Sequence, residues 1–531
     1  METLKTINFV IAVIFFVCYT YQFLYIPVPW LRKARPHGPA KDNRYAVLIC
    51  ARNEQRVIGD LIASLRGQTY SQSLLSIFVL ADNCTDDTAM VARVAGANVY
   101  ERFNQVQVGK GYALQELLEH LEQDYPQGFD GYFVFDADNI LAPNYVEAMN
   151  RTFSDGHDIV TSFRNSKNYG DNWISAGYAL WFLRESRYLN HARFLLGTSC
   201  AVSGTGFLFS RRVLEETGPW PFHLLTEDIQ FSVDQVTRGR KIAFCPDAVL
   251  YDEQPTTFRQ SWNQRLRWSK GYLQVFRGYG ARLLRGAAGG SFSCYDMAAA
   301  IMPAFVLSAT AIVCNVTAAI LGAVHGEDLT IALWSVGQML LNMYLTLFVL
   351  GAITTVTEWK RIHTKAVKKV LYAFTFPLFM FTYIPISFAA LFSKGEWKPI
   401  EHRVSAASLL ARVRSQLRRY MTLGGGHTAP SAVTIGGVSL DDNAKTVTVD
   451  GDTVNLTPLE YDILRLLMQH PGKVFSPHEI YRRVWHEDPA ADNPVAVHVR
   501  HIREKIEINP AEPRYLKVVW GKGYKMEGTA Q

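Results

Sequence analysis

The sequence predicts a three-part chain: an α/β domain within residues 40–290, apolar membrane helices on both sides of it, and a separate small helix-and-strand domain at 432–527. Three observations carry this. Charged residues make up only 19% of the 531, below the roughly 25% usual in soluble chains, while apolar residues reach 48%. The apolar residues are clumped into long charge-free stretches. Outside them, short apolar runs ending in polar residues alternate with helical spacing. Seven cysteines, with no CxxC pair and none after Cys314, exclude a zinc ribbon or a disulfide scaffold and fit a reducing compartment. The net charge of +6 is small for this length and identifies no partner by itself.

Ile7–Trp30, Met297–Val324, Leu329–Thr357 and Val370–Ser393 contain no Asp, Glu, Lys or Arg, and each is 24 residues or longer. A bilayer-spanning helix needs about 20. The first stretch is too long for a signal peptide and ends in Tyr21, Tyr25 and Trp30, an interfacial belt, so residues 1–31 are expected to be an N-terminal transmembrane anchor. Arg32, Lys33 and Arg35 then place the following domain in the cytoplasm under the positive-inside rule. Within the membrane region 297–393, Glu327 and Asp328 mark an outer loop, and Lys360, Arg361, Lys365, Lys368 and Lys369 return the chain inside. The flank after the fourth stretch holds seven Lys/Arg against two acids over 394–420, so it also reads as inside. Because the fourth stretch contains Pro377 and Pro385, it is expected either to cross or to form a re-entrant helix pair. The expected localisation is the cell membrane, multi-pass, with membrane lipid as a partner.

In the cytoplasmic part, Tyr45–Cys50 ends in Ala51-Arg52-Asn53-Glu54, Ser76–Ala81 ends in Asp82, and Tyr132–Phe135 ends in Asp136-Ala137-Asp138-Asn139. Val57–Arg66 and Tyr112–Leu121 show helical spacing between them. Open α/β sheets bind ligands at such strand ends. No GxGxxG follows the first strand and no GxxxxGK[ST] occurs, which excludes the usual dinucleotide and P-loop readings. Asp136 and Asp138 flank one residue after a strand, a hard oxygen pair suited to Mg²⁺ or Mn²⁺ on a diphosphate. Taken alone, D-x-D is a weak signal. Thr226-Glu227-Asp228 opens an amphipathic helix and reads equally as an N-cap with first-turn acids. Gln264-Arg265-Leu266-Arg267-Trp268 supplies amide, guanidinium and indole groups that could clamp phosphate and stack on a sugar, or line a basic interfacial helix.

Together, in order and spacing, these motifs resemble glycosyltransferase family 2, the inverting GT-A (nucleotide-diphospho-sugar transferase) enzymes, and among them the membrane synthases of cellulose, hyaluronan and chitin. The resemblance covers about residues 40–290. It implies that Ala51, Arg52, Asn53, Glu54, Asp82, Lys110 and Asp136 hold the nucleotide and that Asp138 and Asp136 hold the metal, Mg²⁺ or Mn²⁺. It further implies that Asp228, beside Glu227, is the general base. Ser203 and Gly204 would line the acceptor site, and Gln264, Arg265, Arg267 and Trp268, in the Q-x-x-R-W motif, would hold acceptor and diphosphate. The donor expected is a nucleotide sugar, most simply a UDP-sugar, and the acceptor a growing β-linked polysaccharide or glycan. No RxxxR-type cyclic-dinucleotide segment and no F-x-V-T-x-K gating loop is present, so regulation of the cellulose-synthase type is not expected.

Residues 394–431 read as a basic juxtamembrane segment and a Gly-rich linker through Gly424-Gly425-Gly426. Beyond it, strands are expected near Val433–Leu440 and Thr446–Val454, helices at Pro458–Gln469, Pro477–Val484 and Val495–Ile508, and a hairpin through Val518–Tyr524. Leu459, Ile463, Leu466 and Leu467, with Val497, Ile502 and Ile506, are the expected core. NLTPLEYDILRLLMQHPGKVFSPHEIYRRVW, VHVRHIREKI and GKGY resemble the OmpR-type winged helix-turn-helix domain. The resemblance implies candidate DNA contacts at His498, Arg500, His501, Arg503 and Lys522. Against DNA binding, residues 432–531 hold 12 Lys+Arg and 14 Asp+Glu, and Trp520 stands where the family usually has an arginine before the wing glycine. The domain is therefore expected to work mainly through a partner protein or self-association. Two classes compete for the whole chain: a polysaccharide synthase carrying a regulatory winged helix, and a membrane-tethered transcription regulator with a nucleotide-sugar-sensing domain. Transfer of a single sugar to a lipid carrier is a third reading.

Overall fold

The computed structural model describes residues 19–302, 329–393, 432–441, 446–485 and 495–527 except Ala511, with scattered helical residues before Tyr19 and between 313 and 324. The chain divides into two compact units, Met1–Leu410 and Ala411–Gln531.

The first unit is built on an eight-stranded sheet. Its strands are β1 Tyr45–Ala51, β2 Leu75–Asp82, β3 Asn98–Arg102, β4 Gly131–Asp136, β5 Ile140–Leu141, β6 Ile159–Ser166, β7 Phe207–Ser210 and β8 Ile242–Asp252, in the order β3-β2-β1-β4-β7-β6-β8-β5. β1 pairs in parallel with β2 and with β4, so the chain steps outward from β1 to β3 and then returns to its other side. That reversal opens a crevice at the C-terminal ends of β1 and β4, where Cys50 lies opposite Asp136. β7 runs antiparallel between β4 and β6.

The apolar runs are strands because both faces of the sheet are covered. Side chains alternate across β1: Ala46 and Leu48 pack under the helix Lys110–Asp124 through Leu114, Leu117 and Leu121. Tyr45, Val47 and Ile49 pack on the opposite face against Ile58, Leu61 and Ile62. All of these are buried. The first of the two cores also takes in Phe376, Phe379 and Met380 of the helix Ala366–Phe381. Gly177 permits that approach, since a β-carbon there would stand 2.3 Å from the Phe379 ring.

Of the expected membrane stretches, two helical segments, Val336–Thr357 and Ala366–Phe392, are long and apolar enough to cross a bilayer. The fourth stretch is a pair of helices, Ala366–Phe381 and Tyr383–Phe392, meeting at Thr382. Most of the second stretch and the flank 394–431 lie outside the described residues. Near the expected anchor, Tyr21 and Tyr25 donate hydrogen bonds of 2.6 and 2.8 Å to Asp296, which also receives Arg193 through Nε and Nη2 at 2.8 and 2.7 Å. Arg193 and Asp296 are buried, and each neutralises the other.

In the second unit the two strand regions each resolve into a hairpin: β9 Ala432–Ile435 with β10 Val438–Asp441, and β11 Thr446–Val449 with β12 Asp452–Val454. Turns at Gly436-Gly437 and Asp450-Gly451, all but Gly437 with positive φ, divide what read as single strands. Three helices follow, Pro458–Met468, Pro477–Trp485 and Val495–Ile506, then the wing β13 Leu516–Val519 and β14 Gly523–Met526. Ile463, Leu467, Ile502 and Ile506 are buried as expected, and Leu466 packs against them. Val497 is not in the core: it is 54% exposed, and Val495 and Val499, two residues to either side, are buried instead.

Candidate functional site

The crevice between β1 and β4 is the floor of a cavity of about 1060 Å³. Ala51, Arg52 and Glu54 enter it from the end of β1, and Asp82 from the end of β2. Asn53 does not line it. Its backbone is left-handed (φ 57°), and its Oδ1 accepts from Thr85 N at 2.8 Å, so it braces the loop after β2 rather than facing a ligand. Asp82 is buried and accepts from Arg102 Nη1 at 2.8 Å, while Arg102 Nε reaches Glu116 at 2.6 Å.

Lys110 begins the helix Lys110–Asp124 and joins three parts of the site. Its Nζ donates to Asp136 Oδ1 at 2.5 Å and to the Gly204 carbonyl at 2.7 Å, and stands 4.0 Å from Glu227 Oε1. Burial opposes its charge, but Asp136 and Glu227 outweigh that and raise the pKa of the ammonium. Asp138, buried beside it, accepts from Glu253 N at 2.9 Å. The loop after Ser203 closes over these acids because Thr205 Oγ1 accepts from Asp136 N at 2.9 Å and Gly206 N donates to Val134 O at 2.9 Å. Gly206 has φ 67°, and a β-carbon there would lie 1.9 Å from Leu250, so only glycine fits. Ser203 is held at its carbonyl by Arg164 Nη1 (2.9 Å), and its hydroxyl donates to Glu185 Oε2 (3.2 Å).

Glu227 and Asp228 form the first turn of the helix Glu227–Thr237. Burial raises the pKa of both carboxyls, and for Glu227 the neighbouring Asp228 charge adds to it. The Ile229 N–H, the Lys110 charge and the Gly204 N–H partly restore Asp228. A half-buried carboxylate with a raised pKa at the cavity wall is chemically suited to accept a proton.

The Q-x-x-R-W segment lies on the 31-residue helix Phe258–Ala288. Gln264, Arg267 and Trp268 share the face toward the cavity. Trp268 stands edge-on to Tyr178 and Phe182, with ring centroids 5.7 and 6.1 Å away. Arg265 is a correction to the expected diphosphate contacts. About 100° further round the helix, it is fully buried, donates to Thr382 Oγ1 (2.6 Å) and Phe379 O (3.1 Å), and lies against the rings of Phe379 and Tyr383. It fastens this helix to the apolar helix pair.

Arg164, Glu185 and Asp252 also face the cavity and were not anticipated. Arg164 Nε donates to Asp252 Oδ2 at 2.6 Å, with its guanidinium 3.6 Å from the centre of the Phe182 ring. Burial pushes Asp252 up to about 6, Arg164 opposes this, and the Asp138 charge adds to it. The signal was available, since Arg164 and Asp252 lie at the ends of β6 and β8 just as Asp136 lies at the end of β4. Asp136, Asp138 and Asp252 line the cavity with carboxylate oxygens, the donor type that Mg²⁺ and Mn²⁺ prefer.

In the second unit, the candidate DNA contacts separate. Arg500 is exposed and paired with Glu504 at 3.0 Å, and Lys522 is exposed on the wing. Arg503 is occupied internally, donating from Nε and Nη2 to Leu516 O at 2.9 and 2.7 Å. His501 turns toward Glu460, with Nδ1 3.7 Å from Oε1, and His498 belongs to the same cluster.

Comparison with known proteins follows these two units. Residues 42–271 match the family "Glycosyltransferase like family 2", and residues 451–526 match "Transcriptional regulatory protein, C terminal". Among curated proteins, the chain is 35% identical over 122 residues to the regulatory protein VanR of Enterococcus faecium, covering 22% of this chain and 53% of VanR. It is 39% identical over 128 residues to the sensory transduction protein RegX3 of Mycobacterium tuberculosis, covering 23% and 55%. The chain thus spans about half the length of the curated relatives it matches. Among solved structures, it is similar to the mannosyltransferase PcManGT from Pyrobaculum calidifontis in complex with GDP-Man and Mn²⁺, at 16% identity and a TM-score of 0.49, covering 74% of this chain and all of that one. The chain therefore carries a glycosyltransferase family 2 domain and, after it, an OmpR/PhoB-type transcriptional regulatory C-terminal domain.

Proposed function

We propose that the first unit transfers a sugar from a nucleotide-diphosphate donor, with inversion, to a β-linked glycan acceptor at the cell membrane. One observation carries this reading: Asp228, the Lys110–Asp136 pair, Asp138, Gln264 and Trp268 line a single cavity. In this reading Arg52, Asp82, Lys110 and Asp136, which line the cavity, would bind the donor. Asp136 and Asp138, with Asp252 beside them, would hold Mg²⁺ or Mn²⁺, which when bound neutralises charge on the departing diphosphate. Arg267, on the same cavity wall as Trp268, offers the diphosphate a guanidinium. Asp228 takes the proton from the acceptor hydroxyl as it attacks the anomeric carbon from the side opposite the leaving group. Trp268 presents an aromatic surface to the acceptor sugar. Incubation of the full chain in detergent with labelled UDP- and GDP-sugars, with and without glycan acceptors, tests the reading. Transfer that fails with every donor would overturn it.

A second reading of the acceptor has its own support. The same cavity runs on between the apolar helices, past Met343, Leu350, Met380 and Ile384. An acceptor with a hydrocarbon tail would match that lining, so a lipid-carrier acceptor belongs in the same assay.

For the second unit, regulation of the enzyme or recruitment of a partner through protein contacts is the reading its surface supports. The unit's formal charge over 432–531 is −2 (12 − 14), and Trp520 at the wing turn is 94% exposed where a cation would serve DNA better. Sequence-selective binding of the fragment 430–531 to DNA at physiological salt, lost in Arg500→Ala, would instead favour a membrane-tethered regulator.

A further inference from the structure

The second unit brings three metal-ligating side chains from two helices to one point. Glu460, on the helix Pro458–Met468, meets His498 and His501 of the helix Val495–Ile506, and one ligand atom from each lies within 4.8 Å of the others. We propose that these three residues form a binding site for a single Zn²⁺-class transition-metal ion that bridges the two helices.

The two histidines are three residues apart on one helix, a spacing that puts them on the same face. By itself this is ordinary. What makes a site is the carboxylate supplied by a different helix at the same point. The two oxygens of Glu460 have divided roles. Oε2 accepts from Thr457 N at 2.8 Å, closing the helix cap, and from Lys505 Nζ at 2.7 Å. Oε1 faces the imidazoles, 3.7 Å from His501 Nδ1. The carboxylate can therefore bind a metal through one oxygen while keeping its cap and its lysine. The Glu460 side chain is buried, which is costly for a charge unless it is paired.

Two imidazoles and one carboxylate suit Zn²⁺ better than Mg²⁺ or Ca²⁺, which favour all-oxygen sets. Ligand atoms on a tetrahedral ion with bonds of about 2.0–2.1 Å lie roughly 3.4 Å apart. The present separations, 3.7 Å between Glu460 and His501 and none above 4.8 Å, are wider than that and would close on loading. The fourth position is left to water. Loading would add two positive charges to the helix bearing Arg500, bringing the formal charge of 432–531 from −2 to zero. The site is independent of the transferase reading, because it uses none of the cavity residues of the first unit.

The full chain in detergent, with Mg²⁺ in excess to occupy oxygen-donor sites, can be titrated with Zn²⁺ against a chromogenic chelator. The wild type should bind one equivalent more than either His498→Ala or His501→Ala. Glu460→Gln, which keeps an oxygen acceptor for the cap, should bind that equivalent at least about tenfold more weakly. Thermal melting separates ligation from folding: without Zn²⁺ the His501→Ala variant should melt with the wild type, and added Zn²⁺ should raise the wild-type midpoint only. Equal Zn²⁺ stoichiometry in the wild type and both histidine variants would overturn the proposal.

Discussion

Replacing Asp228 by Asn isolates the proposed base from its surroundings. The amide is nearly the same shape, and its oxygen can still accept from the Ile229 and Gly204 N–H groups that hold the carboxylate. Lys110 is ion-paired with Asp136 and lies near Glu227, so the donor side of the cavity keeps its charge pattern. What the variant loses is the ability to take a proton. A positioned base is worth about 10²–10⁴-fold, or about 2.7–5.4 kcal/mol of barrier. Initial rates of transfer should fall by that factor while nucleotide affinity, read by calorimetry, stays within about threefold. Stability gives an independent readout. The folded-state pKa of Asp228 is raised, so ionising it costs stability as pH rises from the unfolded carboxylate range toward the folded value. Asn removes that cost, and the variant should melt at or above the wild-type temperature at pH 7. Near-normal turnover would remove Asp228 from its role, and a lower melting temperature with weakened nucleotide binding would show that the substitution had disturbed the site instead.

The acidic limb of the pH–rate profile should lie above the usual Asp range near 3.9, with rate lost as pH falls through the raised value. Glu227→Gln should leave that limb nearly in place, because burial and the Asp228 charge push Glu227 up to about 7 and Glu227 still holds its proton as Asp228 ionises. Asp138→Ala should weaken nucleotide binding in the presence of Mn²⁺ and leave the metal-free affinity unchanged, and indifference to both EDTA and the substitution would dismiss the metal assignment. Arg265→Gln and Arg267→Gln should separate by role. The first, buried against the apolar helices, should cost about 1–3 kcal/mol in thermal stability with donor affinity intact, whereas the second should lower transfer with little change in melting temperature. A cysteine replacing Gly425, in a background stripped of other cysteines, should resist a membrane-impermeant maleimide in intact cells, and ready labelling would place the linker outside.

Local order and motif spacing were enough to read much of this molecule. Strands β1, β2 and β4 show as nearly uninterrupted apolar runs because both faces of the sheet are covered, and they end at Ala51, Asp82 and Asp136, which line the cavity. Asp136, Asp138 and Asp228 were legible because strand ends and helix first turns fix where a side chain leaves its element, and Gln264 and Trp268 through the spacing of their motif. The same reasoning stopped short at β6 and β8, and so missed Arg164 and Asp252, whose ion pair spans 88 residues of chain. Arg265 was misplaced because a motif gives spacing along a helix but not which face the neighbours cover. Only the docking of Phe379 and Thr382 decides that this guanidinium is buried while Arg267, two residues on, faces the cavity. Val497 fell outside its core for the same reason: several apolar positions on that helix compete for one contact face, and the helix Pro458–Met468 selects Val495 and Val499. Composition, periodicity and motif order thus determined the sheet, the apolar segments and the two families of domain, since these depend on near neighbours in sequence. Which polar groups share a cavity, which cation is consumed by packing, and that Glu460 meets two histidines depend on contacts between distant segments, and only the tertiary structure decided them.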